Sequence, residues 1–91
     1  MLCELCGCEE SDDVHHLIPR TLHANKWFKK RYTREQMQAK LNVCQGCHRA
    51  VHRLIPREKD LGRDYNTREK LLAHEKLTRY VAWKRKRARR S

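Results

Sequence analysis

Cys44-Gln45-Gly46-Cys47-His48-Arg49-Ala50-Val51-His52 is the stretch on which the fold turns. Two cysteines spaced C-x-x-C around a glycine make a knuckle, one tight turn that presents two sulfur ligands side by side. No helix breaker follows from His48 to Leu54, and Pro56 then denies the helix a continuation. On such a helix His48 and His52 stand at i and i+4, so both imidazoles share one face and can reach one ion.

Working outward, a second knuckle lies at Cys3-Glu4-Leu5-Cys6, with Gly7 free to turn the chain after it. Zn²⁺ takes four thiolates tetrahedrally, so Cys3, Cys6, Cys44 and Cys47 are the predicted ligands of a structural zinc. The chain needs such a staple. It has 91 residues, 38% hydrophobic and 36% charged, which suits one domain whose burial alone leaves it marginal. Cys8 is left over, either free or a substitute ligand. Residues 1–6 have neither a basic start nor an apolar stretch of signal-peptide length, so the thiols are expected reduced and the setting cytoplasmic. No run approaches the ~18 apolar residues of a membrane span, and no membrane association is expected.

Between the knuckles, Val14–Ile18 reads as a short strand ended by Pro19, and it carries His15 and His16. Packed against the histidine helix, this strand lets His15 add a third nitrogen and leaves positions open for water and a phosphate oxygen. Successive strand residues face opposite ways, so His15 and His16 can address one site together only on a twisted or bulged strand.

The rest of the chain supports this core. Residues 20–32 interleave Trp27, Phe28 and Tyr32 with lysine and arginine, without clear period, and read as a basic loop or hairpin in which Trp27 and Phe28 pack. Thr33-Arg34-Glu35-Gln36 is a capping box opening a helix to about Leu41. A cap at Asn66-Thr67-Arg68-Glu69 opens a C-terminal helix whose Leu71, Leu72, Leu77 and Val81 form an apolar stripe. Residues 1–83 thus make the domain, and 84–91 a basic tail expected to fray without a partner.

Lysine and arginine number 22 against 11 acids, a formal charge of +11, which draws polyanions and makes nucleic acid the leading partner. Arg20, Arg49 and Arg53 flank the histidines, where guanidinium groups grip phosphate by paired hydrogen bonds. Charge bounds the partner and leaves the chemistry open.

Taken in order, C-x-x-C, then His15-His16-Leu17-Ile18-Pro19, then Cys44-x-x-Cys47-His48-x-x-x-His52 resembles the zinc-knuckle type of HNH endonuclease. The likeness spans residues 3–52, and the combination is more specific than any one motif. It implies an α+β fold: a small ββα-metal core of hairpin and helix around one divalent ion, stapled by the four-cysteine zinc site, with a C-terminal helix added. It further implies His16 as general base, His15, His48 and His52 as ligands of a catalytic Mg²⁺, Mn²⁺, Ni²⁺ or Zn²⁺, and DNA cut to 5′-phosphate and 3′-hydroxyl ends. Partners would be phage or bacterial DNA-processing proteins. The family's central Asn usually stands nine residues before the Cys-attached His, where this chain has Ala39; Asn42 is the weak substitute. The alternative is a non-catalytic, zinc-stabilised DNA- or RNA-binding module, in which binding survives loss of His16.

Overall fold

Two short strands hold the centre of the computed structural model, which describes residues 1–90. Strand β1 (Asp13–His16) pairs antiparallel with β2 (Lys40–Val43), in the register Asp13↔Val43, Val14↔Asn42, His15↔Leu41 and His16↔Lys40. Because side chains alternate across the sheet, Asp13, His15, Leu41 and Val43 share one face and Val14, His16, Lys40 and Asn42 the other. Helix α3 (Gln45–Leu54) packs on the first face and brings Ala50 and Val51 onto Leu41 and Val43 in the main core. The molecule is therefore a small α+β fold with a two-stranded sheet and several helices.

The connection from β1 to β2 is helical, which corrects the loop or hairpin expected for residues 20–32. After a 3₁₀ turn at Arg20–Leu22, helix α1 (Lys26–Arg31) begins where the Asn25 side chain accepts from the Trp27 N–H. Phe28 is buried in a satellite core with Ile18, Leu22 and Met37. Trp27 packs edge-on to Phe28 and carries the Arg31 guanidinium over its other face, so it is half-packed. The Thr33–Gln36 capping box forms with both of its hydrogen bonds, but α2 (Arg34–Met37) stops four residues short of Leu41. Leu41 and Val43 alternate with polar Lys40 and Asn42, and pairing with β1 buries both of them. Strand β1 likewise ends at His16 instead of Ile18; Leu17 N–H still donates to the Ala39 carbonyl, and Leu17 and Ile18 turn into the cores.

Beyond α3, helix α4 (Glu58–Asp64) has no counterpart in the sequence pattern. It presses Gly62 against Leu22, Phe28 and Pro19 so closely that a Cβ there would meet the Leu22 side chain at 2.9 Å. The expected C-terminal helix is two. Thr67 caps α5 (Arg68–Leu72), and the chain then turns at Ala73 and His74 before α6 (Glu75–Arg90). The break lets Leu71, Leu77 and Val81 all reach the main core.

Residues 84–90, expected to fray, continue α6, and Ser91 lies outside the described residues. The first two basic residues find partners: Lys84 Nζ donates to Cys44 Sγ at 3.1 Å and pairs with Glu9 at 3.2 Å, while Arg85 donates to the carbonyls of Cys6 and Leu5. Lys84 thus has a counter-ion and Arg85 two carbonyl acceptors, and these bonds hold the start of the basic stretch on the cysteine knuckles. Among the described residues no helix is long and apolar enough to cross a membrane.

Candidate metal centre

Two groups of side chains have the composition and convergence of metal sites. In the first, the sulfurs of Cys3, Cys6, Cys44 and Cys47 all lie within 4.8 Å of one another. Cys6 and Cys44 Sγ stand 4.0 Å apart, close to the ~3.8 Å edge of a tetrahedron with Zn–S bonds of ~2.3 Å. The knuckle geometry explains this convergence. Leu5 and Cys6 N–H groups point at Cys3 Sγ, and Cys47 N–H points at Cys44 Sγ, with Cys44 acting as N-cap of α3. All four cysteines are buried within the main core, so a metal ion held by them would staple the N-terminal knuckle to the start of α3.

The four thiols cannot all ionise at this spacing without a cation. A side-chain hydrogen bond from Cys47 holds Cys3 down at about 3, and that same contact pushes Cys47 up, while burial raises Cys6 and Cys44. A divalent ion resolves the conflict by favouring every thiolate at once. The residues present therefore fit a metal ion, and four sulfurs in a closed tetrahedral arrangement suit structural zinc. Cys8 is outside the group.

The second group is His15, His48 and His52, whose ring nitrogens also lie within 4.8 Å of one another. His15 comes from the inward face of β1, and the other two from one face of α3. The His48 Nδ1–H donates to Asp13 Oδ2 at 2.7 Å, which leaves the Nε2 lone pair of His48 facing His52 Nε2 at 3.1 Å. A carboxylate that orients an imidazole in this way is the usual companion of a metal-binding histidine. That bond from His48 also holds the Asp13 carboxyl below its ordinary range. His15 is 1% exposed, and neither of its ring nitrogens has a hydrogen-bond partner among the described residues. Burial, then the neighbouring His48 and His52, lower its pKa to about 4. A buried imidazole with no partner is costly, and an ion shared with His48 and His52 would satisfy it. His52 is exposed, so the group opens to solvent on that side.

His16 is not part of this group. The register of β1 is regular, without the bulge that would turn both histidines one way, and His16 lies on the opposite sheet face. There it lines an open depression of about 420 Å³ with Arg20, His23, Gln38 and Lys40. Burial, followed by Arg20, His23 and Lys40, holds its pKa below the ordinary histidine value. Of the three arginines, Arg20 borders that depression, while Arg49 and Arg53 sit one residue further round α3 from His48 and His52. Arg53 leans over the Tyr80 ring of α6, 6.0 Å from its centroid. Asn42 shares the His16 face; its backbone is paired with Glu4, and its side chain makes no hydrogen bond among the described residues.

Three participants lie outside the residues that the motifs single out. Asp13 is two residues before His15, and the strand period alone points it to the same face. Lys40 faces His16 through a pairing that becomes visible only once β2 is known. Lys84 meets Cys44 across 40 residues, and no local pattern announces that contact. No family model matches the chain, and neither a curated protein nor a solved structure matches it.

Proposed function

We propose that the chain is a metal-dependent endonuclease with a ββα-metal core of the HNH kind, hydrolysing DNA phosphodiester bonds. The observation that carries this reading is His15, buried, without a hydrogen-bond partner among the described residues, and in reach of His48 and His52 on the side that opens to solvent. β1, β2 and α3 would be the two strands and helix of the core, with the four-cysteine zinc site as its staple. His15, His48 and His52 would hold the catalytic ion, and Asp13 would orient His48. When bound, a divalent ion supplies Lewis-acid stabilisation of charge on the phosphate and on the departing oxygen.

The chain's own residues do the remainder. Arg20 and Lys40 attract the phosphate to the edge of the sheet. Because the regular register turns His16 to the sheet face opposite His15, the phosphate would have to lie across the end of β1, where the chain leaves the strand at His16. There the neutral His16 imidazole would take a proton from water as the water oxygen bonds to phosphorus and the bond to the 3′ oxygen breaks. Solvent protonates the 3′ oxygen, leaving 5′-phosphate and 3′-hydroxyl ends. A second reading, a non-catalytic zinc-stabilised DNA- or RNA-binding module, draws on the regular register that turns His16 away from the three histidines.

Supercoiled plasmid separates the two. Wild type and His16→Ala, with structural zinc retained, are incubated with and without Mg²⁺, Mn²⁺ or Ni²⁺ while binding is followed in parallel. Metal-dependent nicking that is lost in the variant, with binding kept, supports the nuclease. Binding without nicking under every metal overturns it in favour of the module.

A further inference from the structure

Both exposed tryptophans carry an arginine four residues on, yet their surroundings differ. Trp27 is half-packed, with Phe28 against its edge and Arg31 only 4.0 Å above its ring. Trp83 is 52% exposed, and Arg87 stands off at 5.3 Å. It also belongs to a row. Arg53 of α3 lies over Tyr80 at 6.0 Å, with Lys84 Nζ at 5.9 Å from the same ring. Tyr80, half-buried against the main core, lies 5.8 Å from the more open Trp83, after which Arg87 follows. Cation, ring, ring, cation thus run in sequence from the residue next to His52 outward along α6. An open depression of about 550 Å³ beside Tyr80 and Trp83 leaves room for a planar ligand.

We propose that Arg53, Tyr80, Trp83 and Arg87 form a stacking platform for unpaired bases of single-stranded nucleic acid, passing beside the histidine site. The inference rests on the reading of the chain as nucleic-acid-binding and is independent of cleavage. Every base has a π-face, so rings flanked by cations hold a strand without choosing its sequence. A duplex keeps its base faces within its own stack and offers this row only phosphates. The one carboxylate lining the depression among the described residues, Glu9, is neutralised by Lys84. The platform is rigid before binding: Leu77 and Val81 are buried, and Lys84 and Arg85 clamp α6 onto the cysteine knuckles. A preordered surface loses little entropy when a strand arrives.

Replacing Trp27 by Phe leaves Trp83 as the one tryptophan, because the chain has two. The zinc-loaded variant, without other divalent ions, is titrated with a deoxythymidine oligomer of about 12 nucleotides and with a blunt two-stranded duplex of the same number of base pairs, which has no unpaired loop. The oligomer should quench Trp83 and the duplex should not. Trp83→Ala should weaken oligomer binding about tenfold, with Trp83→Phe recovering most of it. Arg87→Ala should flatten the dependence of log affinity on log salt by about 0.7. Unchanged affinity in Trp83→Ala, or equal quenching by the duplex, overturns the platform. Quenching without plasmid nicking keeps the platform and removes the nuclease; nicking without quenching does the reverse.

Discussion

The cysteine group and the histidine group share α3, yet they are built to opposite specifications. Four sulfurs come from two knuckles, all are buried, and their donor set is closed. Three nitrogens come from one strand and one helix, and they grade from buried His15 to exposed His52, with one side left to solvent. A closed set has no position for a substrate, whereas an incomplete one does. On the proposed reading the contrast separates a site for stability from a site for chemistry. The staple lies in the core, and the proposed working ion lies at the core's margin.

The contrast is broken most severely at the staple. Zinc binding in small domains contributes on the order of 10 kcal/mol, comparable to the whole stability of a chain this size, commonly about 5–15 kcal/mol. Stripping the zinc, or Cys47→Ser, should therefore unfold the protein, read as loss of helical circular dichroism and of the thermal transition. The double variant His48→Ala/His52→Ala should keep both. If the cysteine variant melts like wild type, the staple assignment is wrong.

Cobalt sharpens the same comparison without disturbing the fold. Wild type should take up two equivalents of Co²⁺, with sulfur-to-metal charge-transfer bands belonging to one of them. In His52→Ala the sulfur bands should persist while the second equivalent weakens at least tenfold, the scale on which a lost metal-site contact acts. A single equivalent in wild type would leave the histidines without an ion.

How much of this was legible depended on the range of the interactions. The two knuckles and the His48/His52 pair are local spacings, and the structure brings each set together. The limits of β1 and β2 are not local. Lys40–Val43 is four residues long, and a genuine capping box upstream argued for helix; pairing with β1 decided otherwise. Residues 26–31 carry no helical stripe because one residue, Phe28, is buried among them. The expected frayed end failed for a similar reason, since Glu9, which pairs with Lys84, and the Cys6 and Leu5 carbonyls, which accept from Arg85, lie at the far end of the sequence. The two faces of β1, by contrast, follow from strand period alone, so the separation of His15 from His16 is written in the sequence itself.

A smaller effect is expected one step out from each group. Asp13 touches His48 and none of the other histidines' ring nitrogens by hydrogen bond. Asp13→Asn should weaken the second cobalt equivalent by about 10–100-fold and leave the sulfur bands unaltered. Loss of both together would mean that Asp13 supports the fold rather than the ion.

On the cysteine side the corresponding residue is Lys84, and its effect should be the mildest. Four thiolates around Zn²⁺ would carry two net negative charges, and a part-buried ammonium 3.1 Å from Cys44 Sγ offsets one of them. Burial works against that charge, yet the bonds to Cys44 and Glu9 hold the Lys84 pKa above its ordinary value. Lys84→Met keeps the stem and removes the charge, so zinc affinity by chelator competition should fall about tenfold. Gly46 gives an independent approach. A Cβ there would meet Lys84 Nζ at 2.6 Å, and the flexible end of the lysine can swing aside. Gly46→Ala should therefore lose about threefold in zinc affinity while holding its melting temperature, because alanine favours the first turn of α3 by up to ~1 kcal/mol. Since both changes act through one contact, the double variant should be no worse than Lys84→Met alone. Additive losses would show that Gly46 is required by the knuckle or by Tyr80 Oη, 3.1 Å from that Cβ, and not by the lysine above it.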